Sequence, residues 1–310
     1  MVVDRLIPYS DSLGECFRSV DRAIAMHNQY HPSTSPDFCI VGIKIISDGT
    51  IDACTACLSE PYVGRTDTVA PVWPIEKLAP VIQRADAAGL QCAVHAIGDK
   101  SINTAIDVLS QVGSVGKRHR IEHLELTTPE DAKRLGALGI TASVQPVHSD
   151  PALIRAYSSL IGPERLKRAF AYGEFHETGA RVVLGTDSPT ARHLPLPNIY
   201  NITTRRSALE PDLPDVLNPE FRMELATAVS SATTGAAYSR FADSWTGKLQ
   251  AGFQADFVVL DMQWDKKALL DASVCQTWYR GKRVYGCDRR GAGRLDGPDI
   301  HIALTMSSRE

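Results

Sequence analysis

The sequence predicts an α/β protein built on a parallel sheet with helical crossovers. Short apolar runs alternate with amphipathic stretches of helical period along most of the chain. Polar and ionisable residues stand at the carboxyl ends of the apolar runs: Lys44 and Asp48, His95, His123, Gln145 and His148, and Asp187. That end is the active face of a (β/α) barrel, and a doubly wound sheet would use the same end. No glycine-rich GxGxxG follows any run, so the dinucleotide-binding alternative is weak.

The elements follow in order. RLIPYS (5–10) reads as a short strand, and CFRSVDRAIAMHNQY (16–30) as a helix with apolar residues at helical spacing. After the turn-rich HPSTSPD, FCIVGIKII (38–46) is a buried strand ending at Asp48-Gly49. PIEKLAPVIQRADAAGL (74–90) is a helix with proline in its first turn and glycine near its end, the usual helix signals. QCAVHAI (91–97) is a strand, KSINTAIDVLSQV (100–112) a helix and RHRIEHL a strand. TPEDAKRLGALG (128–139) is a helix with Thr128 as N-cap and an acidic first turn. ITASVQPV (140–147) and RVVLGTD (181–187) are strands, and residues 221–241 are helical. Beyond them, GKLQAGFQADFVVLDMQW and CQTWYRGKRVYG read as short strands with turns, a β appendage.

Bulk properties narrow the function. A chain of 310 residues can bury one large core or two modest ones. A net charge of −3 gives no reason to expect nucleic acid or an acidic membrane as partner. No apolar run approaches the roughly 18 residues that span a bilayer, and the start lacks the apolar core of a signal peptide. Seven cysteines, odd in number and scattered, suit reduced thiols in the cytoplasm. Cys54 and Cys57 form a CxxC, but no second pair or thioredoxin-like context supports a redox or zinc role.

The strand-end residues suit a divalent metal. His95 and His123, from neighbouring strands, plus an aspartate would hold an ion such as zinc. Lys44 is a ligand candidate only if its amine is carboxylated, because an ammonium has no lone pair to give. Asp187 could bind metal, take a proton from a metal-bound water, or do both. Plainer readings stand beside these. A single histidine at a strand end is more often a packing residue, Lys44 could be a salt-bridged lysine, and Asp187 before Ser-Pro could start a turn. His27 and His31 share a helix face with no third ligand and read as surface residues, and His119 reads as exterior.

Local segments raise the metal reading. GIKIISDGTIDACTACLSEPY (42–62), AGLQCAVHAIGDKSINTAIDVL with HAIGD, RHRIEHLELTTPEDAKRLGALGITASVQPVHSD with IEH and QP, and RVVLGTDSPT resemble successive barrel segments of the amidohydrolase-3 (YtcJ-like) family of the amidohydrolase superfamily. ELATAVSSATTGAAYSRFADSWTGKLQAGFQADFVVLD resembles that family's closing helices and its return into a small β-sandwich. Order and spacing agree across about residues 38 to 285.

The resemblance implies a TIM-type (β/α)8 metal-dependent hydrolase barrel with a small C-terminal β appendage. It implies a barrel domain over 1–243, a β-sandwich remnant over 244–290 and a tail over 291–310. Lys44 matches the lysine that, carboxylated, bridges two metals. His95 and His123 match the histidines of the second metal, and Asp187 matches the aspartate that binds the first and moves the proton. Gln145 and His148 match positions beside the substrate pocket, and Asp48 and Asp99 match motif residues that orient ligands from behind. The family's first barrel strand ends in His-x-His, and no His-x-His occurs in this sequence. RLIPYS aligns best with the third barrel strand, so the expectation is a barrel lacking its first strands.

Two functions follow as expectations. One is a hydrolase that cleaves an amide or other non-peptide C–N bond of a small molecule through a metal-activated water, with lyase or isomerase chemistry open on the same site. The other is a non-catalytic or split-enzyme remnant serving as a binding or scaffold protein. An incomplete barrel has unpaired strand edges, so a homodimer or a complementing chain is expected.

Overall fold

In a computed structural model of the chain, the described residues are 2–35, 37–113, 116–286 and 301–304. They fall into two compact units. One comprises residues 2–145 and 153–182, and the other residues 146–152 and 183 onward.

The first unit repeats strand and helix. Its elements are β1 (Val2–Leu6), α1 (Leu13–Gln29), β2 (Cys39–Ile46), α2 (Ile75–Ala87), β3 (Gln91–Ala96), α3 (Asp99–Val112), β4 (Arg120–His123), α4 (Pro129–Leu138) and β5 (Thr141–Val144). Three short helices follow, α5 (Tyr157–Ile161), α6 (Pro163–Leu166) and α7 (Tyr172–Glu177), and then β6 (Val182–Leu184), whose first residue closes this unit. The six strands lie in one sheet in chain order, and β1 to β5 pair in parallel. This is the parallel sheet with helical crossovers that the sequence predicts.

Register divides the sheet into two chemically distinct faces. Ile43, Ile45, Cys92, Val94, Ile121 and Ala142 share one face and are fully buried. The helices supply matching apolar stripes, such as Cys16, Val20 and Ala23 on α1 and Ile102, Ala105, Ile106 and Leu109 on α3. Burying a side chain of the size of Ile or Leu contributes roughly 1.5–3 kcal/mol, so this face anchors the unit. The opposite face carries Asp4, Lys44, Gln91, His95, Arg120, Glu122, Thr141 and Ser143. These polar groups need partners, and Arg120 organises them. Its guanidinium donates to Asp4, to Gln91 Oε1 and, at 2.5 Å, to Glu122 Oε1. Gly42 makes room, since a Cβ there would strike the Gln91 carbonyl oxygen and the Asp4 carboxylate.

Several boundaries differ from the sequence reading. The first strand is Val2–Leu6 rather than residues 5–10; Ile7 N still donates to Lys44 O at 2.9 Å, and Pro8, with no N–H to give, follows. The strand expected over 140–147 stops at Val144, and Pro146–Ser149 form a 3-10 turn. His119 is not exterior but fully buried. Its Nδ1 accepts from Cys92 N at 3.0 Å, and its Nε2 lies 2.9 Å from Asp86 Oδ1. Thr128 does cap α4, accepting from Asp131 N at 3.1 Å.

The second unit holds α8 (Pro195–Thr204), α9 (Leu225–Ser230) and α10 (Ala236–Ser239), the last two joined through a π turn at Ser231–Gly235. It also holds β7 (Phe257–Asp261), β8 (Ser273–Tyr279), β9 (Lys282–Tyr285) and β10 (His301–Leu304). These form a small antiparallel sheet in the order β10-β7-β8-β9, the appendage expected from the composition shift. Apart from 301–304, the tail expected over 291–310 lies outside the described residues, as does Cys287. Among the described residues, no helix is long and apolar enough to cross a membrane.

Candidate metal centre

His95 and His123 come from adjacent strands of the first unit. His95 pairs in register with Glu122, so strict alternation would send His123 to the opposite, helix-facing side. The backbone prevents this. His123 and Leu124 adopt positive φ, 75° and 56°, a left-handed turn that non-glycine residues enter at a cost of order 1–3 kcal/mol. The result is two imidazoles side by side, with ring centroids 4.3 Å apart in an edge-on arrangement. Nitrogen donors of this kind, brought together from neighbouring strands by a strained backbone, fit a zinc-like ion.

Asp48 braces the turn that follows His95. Its carboxylate accepts from Cys57 N (2.9 Å), Ile97 N (3.1 Å) and Gly98 N (2.9 Å), tying the loop after β2 to the start of α3. Oδ1 also lies 3.7 Å from His95 Nε2, too far for a hydrogen bond but close enough to act on the ring electrostatically. Burial pushes its carboxyl up to about 6, against the pull of the three N–H groups. Gly98 permits the close approach, because a Cβ there would collide with the Cys57 backbone. Asp99 instead accepts from Ser59, at 2.9 Å from its N–H and also from its hydroxyl, and so anchors the same loop to α3. Cys57 is buried and its thiol is pushed up to about 11, mainly by burial.

Lys44 lies two positions before Ile46, the register partner of His95, on the polar face. Its charge acts on Glu122. Burial opposes ionisation of Glu122, but Arg120 and then Lys44 outweigh it and hold the carboxyl down at about 2. Gln145, just past β5, donates from Nε2 to Glu122 Oε2 at 3.0 Å. The first unit therefore groups His95 with His123 and Asp48, and Lys44 and Gln145 with Glu122.

The second unit groups the other two residues. His148 Nε2 lies 3.1 Å from Asp187 Oδ2, and both side chains are only partly buried. Asp187 has φ 58°, a second left-handed non-glycine position at a sequence-predicted site. The 3-10 turn that carries His148 is held from two sides. Val147 N donates to Asn198 Oδ1 at 2.8 Å. The fully buried Asp150 accepts from Ala152 N, Asn201 Nδ2, Ala208 N and Leu209 N at 2.7–3.2 Å.

Sequence reasoning missed Glu122, Asp150, Asn198 and Asn201. Glu122 and Asp150 were within sight, inside IEH and QPVHSD. The two asparagines lie on α8, a helix opened by Leu-Pro-Leu-Pro and without polar alternation, which offered no signal.

The amidohydrolase family profile matches residues 14–285. Protein LONG AFTER FAR-RED 3 of Arabidopsis thaliana is 34% identical over 253 residues, which is 79% of this chain and 42% of that protein. YtcJ of Bacillus subtilis (strain 168) is 30% identical over 223 residues, 70% of this chain and 41% of its own length. The crystal structure of an uncharacterized metal-dependent hydrolase from Pyrococcus furiosus matches with a TM-score of 0.61 and 30% identity, over 70% of this chain and 43% of that one. The chain thus spans less than half the length of the curated relatives it matches. With the profile covering most of its residues, the chain belongs to the amidohydrolase family.

Proposed function

We propose that the chain acts as a metal-dependent hydrolase on an amide or other non-peptide C–N bond of a small molecule, in the cytoplasm. The observation that carries this reading is the edge-on pair of His95 and His123, set by left-handed backbone at the carboxyl end of the sheet. In this proposal His95 and His123 hold a divalent ion, zinc by its liking for imidazole, and Lys44 joins them once its amine has taken up carbon dioxide as a carbamate. When bound, the metal lowers the pKa of a water and polarises a carbonyl. The chain's own residues do the rest. Asp187 takes the proton released as water adds to the carbonyl carbon, and passes it to the departing nitrogen as the C–N bond breaks. His148, 3.1 Å from Asp187, fixes the carboxylate for this transfer. Asp48 keeps the turn after His95 in place.

The test is hydrolysis of a panel of N-acyl amines by the full chain with zinc and bicarbonate supplied. Asp187→Asn should lower the rate by about 10²-fold or more, the usual worth of a positioned general base. An unchanged rate in that variant would sink the reading.

A second reading is favoured by the lack of a His-x-His in the sequence. In it, the chain binds or scaffolds, and turnover needs a second copy or a complementing chain. Light scattering combined with the same amide panel separates the two: a monomer that turns over alone excludes the need for a partner.

A further inference from the structure

His27, in the last turn of α1, and His31, just past its end, have surroundings that suit metal ligands better than idle surface residues. Their ring centroids are 4.9 Å apart and their planes cross at 67°. His27 is half-buried, with Nδ1 2.5 Å from Ile40 O. A carbonyl oxygen only accepts, so this ring carries its proton on Nδ1 and its lone pair on Nε2. A backbone carbonyl behind the ring is a usual orienting partner of a ligating histidine. Ile40 is itself fixed, since its N–H donates to Tyr30 O at 3.1 Å. His31 is exposed; its Nδ1 lies 2.7 Å from Ser33 Oγ and accepts from Ser33 N at 3.2 Å. Among the described residues, neither Nε2 has a hydrogen-bond partner.

We propose that His27 and His31 form a second metal site, which takes a divalent ion of the copper, nickel and zinc group through both Nε2 atoms. The spacing fits. With bonds of about 2.0–2.1 Å and a ring radius of about 1.1 Å, two imidazoles at about 90–110° on one ion have centroids about 4.5–5.2 Å apart. The observed 4.9 Å falls inside that range. Binding asks one change of His31: its proton moves from Nε2 to Nδ1, where Ser33 Oγ accepts it. The N–H of Ser33, an exposed residue, then turns to water. The carboxyl end of α1 adds the negative pole of the helix dipole, which favours a cation. Copper(II) should bind most tightly, because the affinity of nitrogen sites peaks there. With two protein ligands and water completing the shell, the ion exchanges readily and is lost on gel filtration. The site is separate from the His95–His123 pair. Ile40 stands near the start of β2, whereas Ile46, the register partner of His95, stands at its end, roughly 20 Å further on.

The test is titration of the full chain with copper(II), followed residue by residue in amide NMR spectra, so that broadening around His95 and His123 is read separately. Less than one equivalent should broaden the signals around His27, His31 and Ile40. His31→Ala and His27→Gln should each weaken binding there by about tenfold or more, because the second imidazole acts at high effective concentration. Should His27→Gln fold poorly, zinc(II) titration of wild type decides, since the Nε2 resonances of both histidines should shift together. No broadening in this region at one equivalent of copper, binding untouched by either substitution, or a loss or shift at only one of the two histidines would each overturn the proposal.

Discussion

Asp150→Ala should loosen the segment that carries His148, and the size of the effect can be worked from its contacts. The carboxylate accepts three backbone N–H groups and one side-chain N–H from fully buried surroundings. Bonds to a charged acceptor net about 1.5–3 kcal/mol each, but four donors share one group, and those at Ala152, Ala208 and Leu209 are only part-buried, so water replaces some of the loss. A net cost of about 3 kcal/mol is expected for Asp150→Ala. Asp150→Asn should cost less, about 1–2 kcal/mol. Its remaining oxygen can still serve Asn201, Ala208 and Leu209, and its NH2 confronts only Ala152 N–H. Native-state hydrogen exchange reads this locally, as roughly a hundredfold loss of protection at Ala208 and Leu209 in the alanine variant and a smaller loss in the asparagine variant. Unchanged protection in Asp150→Ala, or equal effects from the two substitutions, would refute the assigned role.

Further predictions follow from the buried polar groups. Arg120→Met leaves the Asp4 and Glu122 carboxylates buried without their cation, so a loss of about 3–5 kcal/mol at pH 7 is expected in urea melts. That loss should shrink at acid pH as the carboxylates protonate. His119 is held below its ordinary 6.5, first by burial, with Asp86 pulling the other way. Its stabilising contribution is therefore complete above pH 6.5 and is lost as pH falls, because protonating Nδ1 breaks its bond with Cys92 N. Unfolding curves between pH 7.5 and 5 should show this slope in wild type and a flatter one in His119→Gln.

Most of the sheet was legible in the sequence because its two faces differ so sharply. Ile43-Lys44-Ile45 and Ile121-Glu122 alternate apolar and polar residues, and the apolar members are those packed under the helices. Thr128, Pro129 and Gly139 marked both ends of α4 for the same local reason, capping and left-handed backbone. The helices between 157 and 204 were not legible, although the strand at 182–184 was. These four helices have 4 to 10 residues, too short to show a period, and they are held by tertiary contacts such as Phe170 N to Glu125 O. His119 misled because it follows two basic residues, whereas its burial is decided by Asp86, 33 residues away. The site residues were visible as residue types, but how they are set was not. The left-handed turn at His123 and the orientation of Gln145 depend on backbone strain and on Glu122, which no spacing rule reveals.

The central claim is that the paired imidazoles of His95 and His123 hold a divalent metal, and metal content tests it most directly. The full chain is incubated with zinc and bicarbonate, freed of loose metal by gel filtration, and assayed by elemental analysis beside His95→Ala, His123→Ala and Asp187→Asn. The account predicts up to one zinc per wild-type chain, loss of that metal in both histidine variants, and retention of most of it in Asp187→Asn. A wild-type chain that takes up no zinc, or histidine variants that keep it, would contradict the account.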